Sequence, residues 1–341
     1  MESGEWIADE VTGRVGRVVV FAPSPVLTIT VEDHDGEGEI HLHAGGQGVW
    51  QARMVRALGT EVTLCAGFAG ETGKVLQHLI RDEGFSLVAV ERREGYGAAY
   101  IHDRRRGRRQ VITDTKGDSL SRHDLDKLYG LTLREANGSD VVLLSGPAGS
   151  GVVPADVYRR LAADLHSCRC RVMVDLIGER LDAALKGGVD IVKVSHEELL
   201  ADGRISSVDT REIVSAMHAI RSAGAKIVVV TRAEQGLLLL DDEGVRQVVA
   251  PAMQVEDATG AGDSFTAATA AVLAQGSGID EAAALGAAAG ALNVTRHGLG
   301  TGELSTIRRF SEFVEISPVE WQRPSEVRIT PAQLADFLRR G

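Results

Sequence analysis

Asp257-Ala258-Thr259-Gly260-Ala261-Gly262-Asp263-Ser264-Phe265 is the stretch whose reading decides the fold. Two glycines two residues apart lead into an alanine-rich segment, Thr266 to Ala274, that has the composition of a buried helix. A glycine turn opening into a helix leaves backbone N–H groups without partners and points the positive end of the helix dipole outward, which makes it a seat for phosphate. Asp263 falls in the first turn of that helix. A carboxylate there is placed to accept the proton of an alcohol attacking a phosphoryl group.

The rest of the chain supplies the scaffold such a loop needs. Apolar runs at Val141–Ser145, Val172–Asp175, Ile191–Val194 and Ile227–Thr231 alternate with helical stretches such as Ala155–His166 and Thr210–Ala223. Strands alternating with helices predict crossover units and a doubly wound, mainly parallel sheet with helices on both faces. Ligands of such sheets bind beyond the carboxyl ends of the strands. The segments Ser145-Gly146-Pro147, Asp175, Lys193-Val194-Ser195 and Thr231-Arg232 are therefore expected around the same cleft as Gly260–Asp263.

Ahead of this region, Arg17–Ala22 predicts the first core strand, and Leu27–Val31 with Ile40–His43 alternates as a hairpin with one wet face. Short strand-like runs from Phe85 to Asp114 predict a second β-rich insertion that partners the hairpin. A helix is expected from Val49 to Leu58, a strand at Val62 to Ala66, a turn over Gly67 to Gly73 and a helix from Lys74 to Asp82. Gly67 to Lys74 is not a P-loop, because its glycines are one residue too far apart and Val75 stands where Ser or Thr must hold Mg²⁺.

Of the 341 residues, 37 are Lys or Arg and 48 are Asp or Glu, a formal charge of −11 that argues against nucleic acid or an anionic membrane as partner. No apolar run is long enough to span a bilayer. The first residues lack the basic and apolar regions of a signal peptide, and three cysteines are too few for a disulfide framework; the expectation is a cytoplasmic protein. His41 and His43 share a strand face but have no further ligand cluster to complete a metal site. The run Arg104–Arg109 holds five arginines, which either form a solvated hairpin tip or reach a substrate phosphate.

Taken together, these residues resemble the PfkB/ribokinase family of carbohydrate kinases over roughly 17–300. The wording of Ser145-Gly146-Pro147, Asp175 to Leu181 and Lys193 to Leu199 is most similar to the 1-phosphofructokinase and tagatose-6-phosphate kinase branch. The resemblance implies a kinase domain (17–302) with a β lid from about 24–44 and 88–115; the residues themselves read as an N-terminal arm (1–16) before it and a C-terminal extension (303–341) after it, ending in a helix that Thr330 caps and Pro331 starts. The resemblance also implies Asp263 as the base, and Gly260, Ala261 and Gly262 as the anion hole. ATP is expected along Thr231, Gly236, Thr259, Asn293 and Ser195, with Mg²⁺ and its waters organised by Glu198 and a monovalent cation near Asp257. The acceptor is expected at Val26, Gly45, Gly46, Gln47 and Trp50, and the lids of two subunits are expected to pair as a homodimer.

The acceptor side departs from the family pattern. Asn-Pro-x-x-Asp reads Ala22-Pro23-Ser24-Pro25-Val26, Gly-Gly-Lys-Gly-x-Asn has Gln47 for lysine and Trp50 for asparagine, and Ser195 replaces the Asn of Asn-x-x-Glu. The Thr-Arg of phosphosugar kinases is missing around Gly95–Ala99. Hydrogen bonds to charged groups contribute about 1.5–3 kcal/mol each, so the expected acceptor is a sugar or sugar phosphate other than the usual fructose phosphates. A nucleoside kinase, or a weakly catalytic protein that senses a sugar phosphate, are the alternative readings.

Overall fold

Our computed structural model describes residues 15–92, 94–149, 151–255, 257–295 and 302–319. Runs such as Val18–Phe21 and Val141–Leu144 are buried on both faces, which is possible only in a sheet covered on both sides. The elements in chain order are β1 (Arg17–Ala22), β2 (Val26–His34), β3 (Glu37–Gly45), α1 (Gln47–Ala57), β4 (Glu61–Ala69), α2 (Gly70–Asp82), β5 (Ser86–Arg92), β6 (Ala98–Asp103) and β7 (Gln110–Thr115). They continue with α3 (Arg122–Ala136), β8 (Val141–Ser145), α4 (Ala155–Leu165), β9 (Arg171–Asp175), α5 (Gly178–Gly187), β10 (Val189–Ser195), α6 (His196–Ala201), α7 (Thr210–Ser222) and β11 (Ala225–Thr231). The last are β12 (Leu237–Asp241), β13 (Gly244–Val249), α8 (Ala261–Ala274), α9 (Ile279–Asn293), α10 (Leu304–Ser311) and β14 (Glu315–Pro318).

The large sheet runs β14-β13-β12-β11-β10-β9-β8-β1-β4-β5. From β11 to β5 every neighbour pair is parallel, and β12, β13 and β14 continue it antiparallel. Alternate strand residues feed two cores: Val19, Phe21, Val142 and Leu144 face the layer of α3, α4, α5 and α7, and Val18, Val20, Leu143 and Met173 face α1, α8 and α9. The alanines of α8 serve close packing. From Ser264 to Ala274 the helix is buried all round, and a Cβ on Gly286 of α9 would lie 2.4 Å from Thr269 Oγ1.

A second sheet, β3-β2-β6-β7, stands apart from the first. Of the 88–115 stretch expected in the lid, residues up to Arg92 belong instead to β5, which pairs in parallel with β4 at the edge of the large sheet; only β6 and β7 join the hairpin. The turn expected over Gly67 to Gly73 is also absent. The strand β4 runs through Gly67 to Ala69 and α2 starts at Gly70, because Gly73 lets the first helical turn pack on Phe68, where a Cβ would sit 3.0 Å away. Past Gly302 the chain docks on the core, with Ile307 of α10 buried and β14 paired to β13. The arm at 1–14 and the helix expected at Thr330 and Pro331 lie outside the described residues.

Candidate active site

The carboxyl ends of β8, β9 and β10 bring Ser145, Asp175 and Lys193 to the N-terminal turns of α8, Ser145 by way of Gln51. Gly260 caps that helix at φ 78°, the left-handed region that favours glycine. Among the described residues the backbone N–H groups of Gly262 and Asp263 take no acceptor, so the first turn presents free donors. Gly262 lies directly over Lys193: a Cβ there would lie 2.8 Å from Lys193 Nζ and would press on that side chain.

Asp263 sits at the floor of the cleft beside Asp175 and Lys193. Lys193 Nζ donates to Asp175 at 3.1 and 3.3 Å, and Thr266 Oγ1 donates to Asp175 Oδ2 at 2.9 Å. Gln51 of α1 closes the network. Its Nε2 donates to Asp175 at 3.4 Å and to Asp263 Oδ1 at 3.3 Å, while its Oε1 accepts from Ser145 Oγ at 2.5 Å. Burial first, and then the negative charges of Asp175 and Glu198, push the Asp263 carboxyl up to about 8, against the lowering effects of Lys193 and the Gln51 hydrogen bond. Burial works to lower the pKa of Lys193, yet the carboxylates of Asp175, Glu198 and Asp263 outweigh it and hold the ammonium protonated. Asp263 stays partly accessible from the cleft. A carboxyl raised to about 8 is mostly protonated at neutral pH; once it has lost that proton, with free N–H donors at its side, it is arranged to take a proton from an alcohol while an anion rests on the helix end.

The flanking residues serve this loop. Asn293 on α9, expected against the nucleotide, has both ends of its amide engaged elsewhere: Nδ2 donates to the Thr259 carbonyl at 2.9 Å and Oδ1 accepts from Ser264 Oγ at 3.1 Å. It is buried and ties α9 to the loop. Ser195 and Glu198 form a capping box at the start of α6, with Ser195 N–H donating to Glu198 Oε2 at 2.7 Å. That accounts for serine at this position and leaves the other Glu198 oxygen without a hydrogen bond among the described residues. Thr231 ends β11 with its carbonyl 3.2 Å from His196 Nδ1. Gly236 follows at φ 75°, so close to Val248 that a Cβ would meet its carbonyl oxygen at 2.3 Å.

On the other side of the cleft, a cavity of about 150 Å³ is lined by Ser24, Pro25, Val26, Gly46, Gln47 and Pro147 among others. Gln47 Oε1 accepts the Gly146 N–H at 2.7 Å, tying α1 to the loop after β8. Trp50, expected here, is half-buried on α1 and does not line this cavity: the residue that turns inward is its neighbour Gln51. Gln51, Asp175 and Lys193 carry the network although none was singled out for a chemical role from the sequence. The signal available was helical spacing, since Gln47 and Gln51 are four apart and share a face.

Asp257 is the residue near which a monovalent cation is expected. Its Oδ1 accepts the Thr259 N–H at 3.0 Å, and its Oδ2 accepts Arg109 at 3.1 Å and Arg104 at 3.3 Å, both from the tip between β6 and β7. Against the opposing effect of burial, the Thr259 hydrogen bonds and the two guanidinium groups hold its carboxyl below the usual range. Both oxygens of this carboxylate are thus engaged within the chain.

The family pattern described as pfkB family carbohydrate kinase matches residues 15–307. The chain belongs to that family. It is 30% identical over 300 residues to the ATP-dependent 6-phosphofructokinase isozyme 2 of Escherichia coli, covering 83% of this chain and 94% of that protein. It is 26% identical to the 1-phosphofructokinase of Bacillus subtilis over 76% of this chain and 84% of the relative. Among solved structures it is similar to phosphofructokinase-2 of Escherichia coli in complex with potassium, with a TM-score of 0.75, 26% identity and coverage of 87% and 98%. The ribokinase of Arabidopsis thaliana, at a TM-score of 0.67, 21% identity and coverage of 87% and 99%, shares the fold. This PfkB-type kinase is therefore an ATP-dependent phosphotransferase acting on an alcohol group of a sugar-like acceptor. Among the described residues no helix is long and apolar enough to cross a membrane.

Proposed function

We propose that Asp263 is the base of this kinase, that the first turn of α8 holds the γ-phosphate of ATP, and that the acceptor is not a standard fructose phosphate. The observation that carries this reading is the Asp263 carboxyl, raised to about 8 and reaching the cleft beside the unpaired N–H groups of Gly262 and Asp263. The acceptor oxygen attacks the γ-phosphorus, its proton passes to Asp263, and ADP leaves. Val26, Pro25 and Pro147 on the acceptor cavity give it an apolar rim where a charged grip on sugar hydroxyls is missing.

The donor set fits Mg²⁺ that arrives with ATP. Among the described residues no group of three acidic or histidine side chains forms a cage, and the unengaged Glu198 oxygen suits a contact to the waters of a phosphate-bound ion. When bound, Mg²⁺ neutralises charge on the phosphates. The chain's own part is to hold the loop, exclude water under the lid and take the proton.

Support for a homodimer through the lid comes from one face of the small sheet. Ile29, Val31, Ile40, Leu42 and Ile101 share it, and Ile40 is 62% exposed. An alternating apolar face left open to this extent suits a second copy of the same sheet. Leu42→Glu with Ile40→Glu is expected to leave a monomer in sedimentation; an unchanged mass would exclude the lid as the interface.

The test of the catalytic reading is an ADP-release screen over free sugars, sugar phosphates and nucleosides, with Asp263→Ala as blank. The expected result is turnover of a sugar-type acceptor by the unsubstituted protein and none by the variant. Efficient use of fructose 6-phosphate or fructose 1-phosphate contradicts the acceptor assignment, and equal turnover by Asp263→Ala contradicts the base.

A further inference from the structure

The arginine-rich tip between β6 and β7 lands on the phosphate side of the cleft, away from the acceptor cavity. Arg104 and Arg109 both donate to Asp257 Oδ2, and the other oxygen of the same carboxylate holds the N–H of Thr259, the residue before Gly260. One carboxylate thus moors two guanidinium groups to the loop that forms the anion seat. Arg104 is half-buried, with its side chain 24% accessible, and Arg109, though an exposed residue, has its side chain only 32% accessible, against 50% for Arg105, which pairs with Asp103 within its own hairpin. Each uses one Nη2 group on Asp257, and among the described residues their remaining guanidinium N–H groups make no hydrogen bond; Arg104 has one further, looser contact, to the half-exposed Glu32 at 3.9 Å.

Building on the kinase reading above, we propose that Arg104 and Arg109 form a lid-borne clamp on the transferring phosphoryl group. The transferring group spreads negative charge over three equatorial oxygens in a loose transition state. The N–H groups at the start of α8 meet it from the core side. On that side the buried Lys193 ammonium is already bound to Asp175. The two arginines supply positive charge from the lid side, each presenting a planar fork with donors left over. In the step they assist, the acceptor oxygen forms a bond to the γ-phosphorus as the bond to the β,γ-bridging oxygen breaks. That electron pair leaves with ADP and the hydroxyl proton goes to Asp263. The arginines exchange no proton and act by charge alone.

The experiment compares the unsubstituted protein with Arg104→Ala, Arg109→Ala and the double variant, on the best acceptor of the ADP-release screen. Binding of MgADP with and without aluminium fluoride, a planar mimic of the transferring group, is measured in parallel by calorimetry. The clamp predicts a fall in kcat on the order of 10²-fold or more in the double variant, a KM for acceptor within about threefold, unchanged MgADP affinity, and loss of the extra affinity that aluminium fluoride confers. Arg104→Lys with Arg109→Lys is expected to recover only part of kcat, because an ammonium lacks the fork. Three results overturn the clamp: unchanged kcat in the double variant, a raised acceptor KM at constant kcat, which would assign the arginines to an acceptor phosphate, or an intact aluminium fluoride effect. Asp263→Ala separates the two readings: retained aluminium fluoride binding without turnover keeps base and clamp distinct, and absence of turnover by the unsubstituted protein removes the kinase reading and the clamp with it.

Discussion

The two sides of the cleft are built in opposite ways. On the phosphate side the polar groups are cross-tied: Asp175 is held by Lys193, Thr266 and Gln51, Asn293 grips the loop from α9, and Asp257 joins loop and lid. On the side proposed for the acceptor, Val26, Pro25 and Pro147 line the cavity together with Ser24 and without a charged side chain, and Gln47 turns its amide oxygen to the Gly146 backbone. A reaction common to a family needs one geometry for the phosphoryl group, whereas acceptors vary, so rigidity belongs on one side and change on the other. The tests below ask how far that division holds.

The largest effect belongs to Asp263. Its replacement by alanine is expected to lower kcat by on the order of 10²–10⁴-fold with the fold intact, checked by steady-state kinetics together with circular dichroism. A loss of only a few-fold would mean that the phosphate side works by positioning alone, and the contrast between the two sides would weaken.

Next comes Lys193. Both members of the Lys193–Asp175 pair are buried, with side chains 7% and 3% exposed. Removing one partner of a buried pair strands the other charge and costs about 3–5 kcal/mol. Lys193→Met is expected to lose stability of that size in urea denaturation, while Val26→Ala across the cleft loses far less. Similar losses at both positions would show that the two sides are equally tied.

The pH dependence sharpens the same point. With Asp263 raised to about 8, kcat/KM is expected to climb through neutral pH and level off above that value, since the free enzyme must lose this proton to act as base. The sign for stability is the reverse. The unfolded carboxyl ionises near the ordinary value of 3.8 and the folded one not until about 8, so stability conferred by the protonated form is lost as pH rises between them. Gln51→Leu removes a hydrogen bond that lowers the Asp263 pKa, and is expected to move the kinetic limb to higher pH. An unmoved limb would take Gln51 out of the network.

Much of the phosphate side is legible in the sequence because it is local. Gly260 to Asp263 lie within one turn, and the parallel strands announce themselves as short apolar runs between helices. Gln51 is not legible in the same way, because its partner lies 212 residues away and the contact exists only once α1 packs beside α8. The arginine tip reaches Asp257 across 148 and 153 residues, which no periodicity encodes. The antiparallel extension was closer to hand. Leu237–Asp241 and Gly244–Val249 flank the two-residue turn Asp242-Glu243, a hairpin spacing that the alternation of strands and helices before it obscures. Trp50 is a contrasting case: aligned with a motif position it suggests a substrate contact, while the residue that helix geometry buries in the polar network is its neighbour Gln51.

The smallest expected effect sits on the acceptor side and probes its apolar character directly. Val26 stands at the start of β2, where its side chain lines the cavity. Val26→Ala removes two methyl groups from a partly covered site. At about 0.8 kcal/mol per fully buried carbon group, the loss is on the order of 1 kcal/mol, a several-fold rise in acceptor KM with kcat nearly unchanged. Val26→Asp is the sharper comparison, because it restores a carboxylate to the acceptor rim without touching the anion seat. If the apolar rim selects the acceptor, this variant loses affinity for it and gains measurable turnover of a more hydroxylated sugar. If the acceptor preference stays the same, recognition lies elsewhere on this side, and the inner lid face of Thr28, Tyr100 and His43, paired in register across β2, β6 and β3, becomes the surface to substitute next.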